Sequence, residues 1–160
     1  MQGTTEKVRF ILKKLDIKEA PVDVEKIAAF FSIHVVPYTN FPERISGMIV
    51  RDKRGDREDV YIGYNANQAK VRQRFTIAHE LGHFLSGHDD LKIVEDGFDK
   101  DTIKEKEANS FASELLMPRD LLLADMKGGK YDIPSLAKRY MVSEQAISIR
   151  LLQSGLLAKF

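Results

Sequence analysis

Cysteine is absent from this 160-residue chain, which removes disulfides, thiolate metal ligands and cysteine nucleophiles together. Any metal site must therefore be built from histidines and carboxylates. A charge excess is lacking too, since 25 basic residues stand against 24 acidic ones. That balance argues against a broad surface for nucleic acid or anionic lipid, although a local basic patch is compatible with it. No apolar run approaches the ~18 residues that a membrane span requires, so no membrane partner is expected. Met1 to Glu6 lead into a charged, helix-like segment and not into a signal peptide, and a cytoplasmic location is expected. Internal repeats and low-complexity tracts are also missing. What is present is apolar material, 43% of residues, enough for a real core in one domain or a domain with a small appendage.

The apolar spacing changes along the chain. Residues 4 to 15 suit a short amphipathic helix. Pro21 is expected to open a second, with Val22, Val24, Ile27, Ala28, Phe30 and Phe31 as its stripe. Ile33 to Pro37, Ile45 to Val50 and Val60 to Tyr64 read as strands, the last two joined as a hairpin through the polar turn Arg51 to Asp56. From Asn67 to Leu85 the period becomes helical. A loop rich in Gly and Asp runs from Ser86 to Asp101, and a second strong helix from Thr102 to Met117, stopped by Pro118. Gly128-Gly129 breaks the chain again. Ile133 to Met141 and Ser143 to Leu152 read as two short helices around a tight turn. The fold expected is α+β, a small sheet of about three strands packed with helices.

His79-Glu80-Leu81-Gly82-His83 falls inside the periodic helix. Residues four apart lie on one helix face, about 6 Å apart along the axis. Two imidazoles so placed can reach one zinc ion at roughly 2.0–2.1 Å each. Glu80 can hold the water on that ion, act as general base and then protonate the leaving amine of a peptide. The bland alternative is a solvated helix face that carries two histidines. A catalytic zinc needs a third protein ligand and one open position. On the helix after the loop, the apolar stripe is Ala108, Phe111, Ala112, Leu115 and Leu116. Glu105 falls roughly 50° from its centre, Glu107 roughly 110° and Glu114 roughly 130°. The wheel favours Glu105, but Thr102-Ile103-Lys104-Glu105 is also a capping box in which Glu105 would only satisfy a backbone N–H. Asn109, one turn on, could steady a ligand histidine from behind or simply meet solvent.

These residues carry a family resemblance. His79-Glu80-Leu81-Gly82-His83-Phe84, together with Glu105-Lys106-Glu107-Ala108-Asn109-Ser110-Phe111-Ala112-Ser113-Glu114-Leu115-Leu116-Met117-Pro118, resembles the ImmA/IrrE family of bacterial zinc peptidases over roughly residues 20 to 157. The resemblance implies Glu105 as third ligand and Asn109 as its companion. It implies one zinc ion, other divalent metals being chemically admissible, and no small-molecule cofactor. It also implies a regulatory endopeptidase whose protein partner is a helix-turn-helix repressor of a mobile element or stress response. A non-catalytic antirepressor, or a DNA- or protein-binding regulator with an idle metal site, is the competing expectation. Residues 1–130 would form the peptidase domain and 131–160 a helical cap packed on it.

Ser135 to Arg150 resemble a helix-turn-helix, with Ser143 placed to cap the second helix. On DNA, Gln145 and Ser148 would face base edges while Lys138, Arg139 and Arg150 met phosphates. Positive charge is sparse there, which favours a packing or protein-recognition role. Tyr64, Tyr131, Tyr140, His34 and His88 are candidates to stabilise a developing oxyanion, and the sequence does not choose among them.

Overall fold

A computed structural model describes residues 2–88, 102–129 and 132–156. Among the described residues there are seven helices and one three-stranded sheet, an α+β fold as expected. The chain packs as two compact units: Asp23–Ala112, and the residues up to Val22 together with those from Ser113 onward.

In the unit Asp23–Ala112, α2 (Val24–Phe30) opens where the carboxylate of Asp23 accepts the N–H groups of Glu25 and Lys26 at 3.1 and 3.0 Å. Pro21 therefore precedes the helix and does not start it, because Asp23 is the residue that satisfies the first unpaired donors. The sheet has the order β1-β3-β2. Strand β1 (Ile33–Tyr38) runs parallel to β3 (Arg57–Asn65), and β2 (Gly47–Arg54) runs antiparallel to it. The central strand buries Val60 and Ile62.

The hairpin is longer than its apolar pattern suggests. Pairing continues to Arg54 opposite Arg57, leaving Gly55-Asp56 as the turn where a longer polar loop was expected. Cross-strand ion pairs line this polar end, with Glu58 reached by Arg51 at 3.4 Å and by Lys53 at 3.7 Å. Opposite charges facing each other across two strands, as at Lys53 and Glu58, favour pairing without apolar cover.

Helix α3 (Lys70–Leu85) lies against β2, β3 and α2. It buries Thr76, Ile77, Ala78, Leu81 and Gly82, a 3.6-residue stripe that fixes which way its histidines point. Helix α4 (Thr102–Leu116) buries Ala108, Phe111 and Ala112. At Gly82 the two helices come so close that a Cβ would stand 3.0 Å from the Cα and carbonyl oxygen of Ala108. Glycine permits that approach without strain, and a Cβ would force the neighbours back by a few tenths of an ångström.

The other unit holds α1 (Gln2–Lys14), α5 (Arg119–Lys127), α6 (Ile133–Tyr140) and α7 (Glu144–Gln153). Helix α1 buries Val8, Ile11 and Leu12. Helix α5 was not anticipated, since Pro118 reads as a stop and Leu121-Leu122-Leu123 shows no helical period; the proline here stands at the N-cap of a new helix. Asp132 caps α6, and the Ser143 hydroxyl accepts the Ala146 N–H at 3.1 Å to cap α7.

Candidate metal centre

Helix α3 presents His79 and His83 one turn apart, and α4 brings Glu105 to meet them. Their ligand-capable atoms all lie within 4.8 Å of one another, so the three could hold a metal ion. The Nε2 atoms of His79 and His83 are 3.0 Å apart. Glu105 oxygens stand 3.4 Å from His79 Nε2 and 3.3 Å from His83 Nε2. Ligands at about 2.0–2.1 Å around a tetrahedral ion would stand roughly 3.3–3.4 Å from each other. The donor set therefore fits zinc in both chemistry and spacing. Burial foremost, and then the neighbouring His79, push the His83 imidazole down to about 4, which keeps it neutral with a lone pair to offer.

Each ring is held from behind. His79 Nδ1 lies 2.9 Å from Asn109 Oδ1. An amide oxygen only accepts, so the ring proton sits on Nδ1 and the Nε2 lone pair faces His83 and Glu105. His83 Nδ1 lies 3.0 Å from His88 Nδ1, and His88 Nε2 lies 3.0 Å from Glu107 Oε2. In the sequence His88 read as an oxyanion candidate and Glu107 as a less favoured third ligand, and neither read as a support for His83. Gly87 does end α3, yet it folds the chain back. The signal was the spacing itself, since the second residue after a C-capping position commonly contacts the last full turn.

Glu80 follows His79 on α3. Burial drives its carboxyl up to about 7, and the charge of Glu105 adds to the effect. A carboxyl poised near neutrality beside a potential Lewis-acid site is what proton shuttling requires.

A family model described as the IrrE N-terminal-like domain, Peptidase M78, matches residues 37–152. This chain belongs to the Peptidase M78 (IrrE N-terminal-like) family. The family suggests a metallopeptidase, and the His79–His83–Glu105 group gives such a member a possible metal site. Immunity region protein 2 of Bacillus phage phi105 is 31% identical over 115 residues, which span 70% of this chain and 68% of that protein. A Mycobacterium tuberculosis transcriptional regulator of known structure shares the fold, with a TM-score of 0.68 at 19% identity over 94% of this chain. The M78 chain spans 46% of that regulator's length.

The other expected residues fall elsewhere. Tyr140 is buried and donates its hydroxyl to Asp125 at 2.8 Å. His34 stacks on Tyr61 with ring centres 5.0 Å apart, and Tyr131 lies outside the described residues. Of the oxyanion candidates, His88 is the one seen bonded to the histidine pair. In the C-terminal helices, Arg139 is paired with Asp125 at 2.7 Å. Arg150 donates to the buried Glu114 and, at 3.1 Å, to the carbonyl of Met117. Two of the three cations expected to meet phosphates are thus engaged internally. Glu114, placed far from the apolar stripe by the helical wheel, is buried because Arg150 and the Arg119 N–H satisfy it. No described helix is long and apolar enough to cross a membrane.

Proposed function

We propose that this chain is a zinc-dependent regulatory endopeptidase of the cytoplasm that cleaves a helix-turn-helix repressor. The carrying observation is three ligand-capable side chains that approach one another at 3.0–3.4 Å, Glu105 meeting each histidine with a different oxygen, and Glu80 beside the first of them on the same helix. His79, His83 and Glu105 hold the ion, and Asn109 fixes the ring of His79. A bound zinc supplies Lewis acidity, acidifying water and polarising the scissile carbonyl. Glu80 takes a proton from the attacking water as the new C–O bond forms. It passes that proton to the amide nitrogen as the C–N bond breaks, so atoms and charge balance. The repressor as substrate is supported by the company the sequence keeps, an immunity region protein of a phage and the shared fold of a transcriptional regulator.

The test is Glu80→Gln, which removes the base and keeps the shape. We expect a folded protein with normal zinc content and cleavage of the cognate repressor reduced about 100-fold or more. Chelation should silence the wild type to a similar degree. Cleavage that persists in Glu80→Gln overturns the assignment.

A further inference from the structure

We propose that His88 and Glu107 are positioning residues that fix the proton and the ring orientation of His83, so that its Nε2 faces the ion. This rests on the metal-centre reading above and assigns it two further residues.

The backbone makes the arrangement. Gly87 adopts φ +67, a left-handed conformation natural to glycine. Its N–H donates to the carbonyl of Phe84 at 3.2 Å, and the N–H of His88 donates to the carbonyl of His83 at 3.0 Å. This paired pattern closes the end of a helix and returns the chain against its last turn. It leaves His88 over His83, with its side chain only 10% exposed. The two residues are joined twice, through main chain and through Nδ1 to Nδ1 at 3.0 Å.

Proton placement follows from one acceptor. An ionised Glu107 can only accept, so His88 carries its proton on Nε2 at the 3.0 Å contact. With that proton on Nε2, His88 turns its Nδ1 toward His83 Nδ1. With an ion held by the three ligands, His83 Nδ1 donates to His88 Nδ1 and the His83 Nε2 lone pair faces the ion alongside Glu105 and His79. The reverse tautomer of His88 would set a lone pair against a carboxylate. Helix α4 thus braces both rings, His79 through Asn109 and His83 through His88 and Glu107. Glu107 is 56% exposed, so most of the effect resides in His88.

Losing an orienting partner of a metal ligand typically costs about 10–100-fold in affinity. The experiment measures zinc affinity of the full chain by competition with a chromophoric chelator. Ring-nitrogen NMR of the metal-free protein reads the His83 tautomer in parallel. We expect His88→Phe to weaken zinc at least tenfold and to mix the tautomers of His83. His88→Asn keeps an acceptor near the Nδ1 position and should restore most affinity. Glu107→Ala should weaken zinc in the wild type and be silent in His88→Asn, where the link to His83 no longer passes through it. Wild-type affinity and an unchanged tautomer in a folded His88→Phe overturn the proposal while leaving the metal centre standing. If His88→Phe does not fold, wild-type behaviour of Glu107→Ala in both readouts overturns it instead. A wild type that binds no zinc overturns both readings.

Discussion

Replacing Gly82 with alanine sets two known effects against each other. On helix propensity alone, alanine in place of an interior glycine stabilises by about 1 kcal/mol. The new methyl, however, would lie 3.0 Å from the Cα and carbonyl oxygen of Ala108 and 3.2 Å from the Cβ of Phe111. Carbon contacts are relaxed at about 3.5–4.0 Å, so α3 and α4 must give by a few tenths of an ångström. Two of the three near atoms are backbone and cannot swing aside. Overpacking of this kind costs about 1–3 kcal/mol, so a net loss of about 1 kcal/mol is expected, a fall of roughly 2–4 °C in melting temperature. The larger consequence is for metal. His79 and His83 ride on α3 and Glu105 on α4, and a constellation is spoiled by shifts of about 0.5 Å. Zinc affinity should drop about tenfold or more, in the range that loss of an orienting contact gives. Chelator competition and thermal melts of metal-free and zinc-loaded protein read both quantities. A Gly82→Ala protein that melts higher and binds zinc as tightly as the wild type would refute the close-approach account.

Glu105→Ala should purify with little zinc by elemental analysis, and normal content would reassign the third ligand. Asp23→Ala removes the cap of α2 and should cost about 1 kcal/mol by urea denaturation; no change would mean that water serves those N–H groups equally well. Arg150→Ala strands the buried Glu114 and should cost about 3–5 kcal/mol, much of it regained in Arg150→Met with Glu114→Leu, and additive losses would contradict the pairing. Two shifts oppose each other in the metal-free protein. His83 is depressed to about 4, so its contribution to stability is present above its ordinary value of 6.5 and is lost as pH falls. Glu80 is raised to about 7, so its contribution is present below its ordinary value of 4.5 and is lost as pH rises. The windows overlap, and the metal-free wild type should vary little between pH 4.5 and 6.5 from these two groups. Glu80→Gln leaves His83 alone and should lose melting temperature as pH falls over that range, whereas a flat profile would show that His83 is not depressed.

The elements nearest the site were the most legible. His79 and His83 share a helix with a continuous apolar stripe, and the wheel brought Glu105 toward the buried side of the next helix without help from tertiary structure. Asn109 followed from being one turn further on. What escaped depended on contacts between distant segments or on backbone form. The parallel pairing of β1 with β3 has no local signature. Helix α5 hides behind a proline that both ends one helix and begins another. Burial of Glu114 needs Arg150, 36 positions away. His88 read only as an oxyanion candidate, because the left-handed turn at Gly87 that returns the chain onto α3 leaves no apolar period to mark it.

In a chain without cysteine, no covalent cross-link can tie α3 to α4. The two histidines are neighbours in any helical turn, but Glu105 reaches them only after the tertiary fold is complete, so an ion bound by all three recognises the native chain and neglects the unfolded one. At one hundred times its dissociation constant, such an ion would add about 2.7 kcal/mol to folding. The supply of such an ion would then govern how long each molecule lasts.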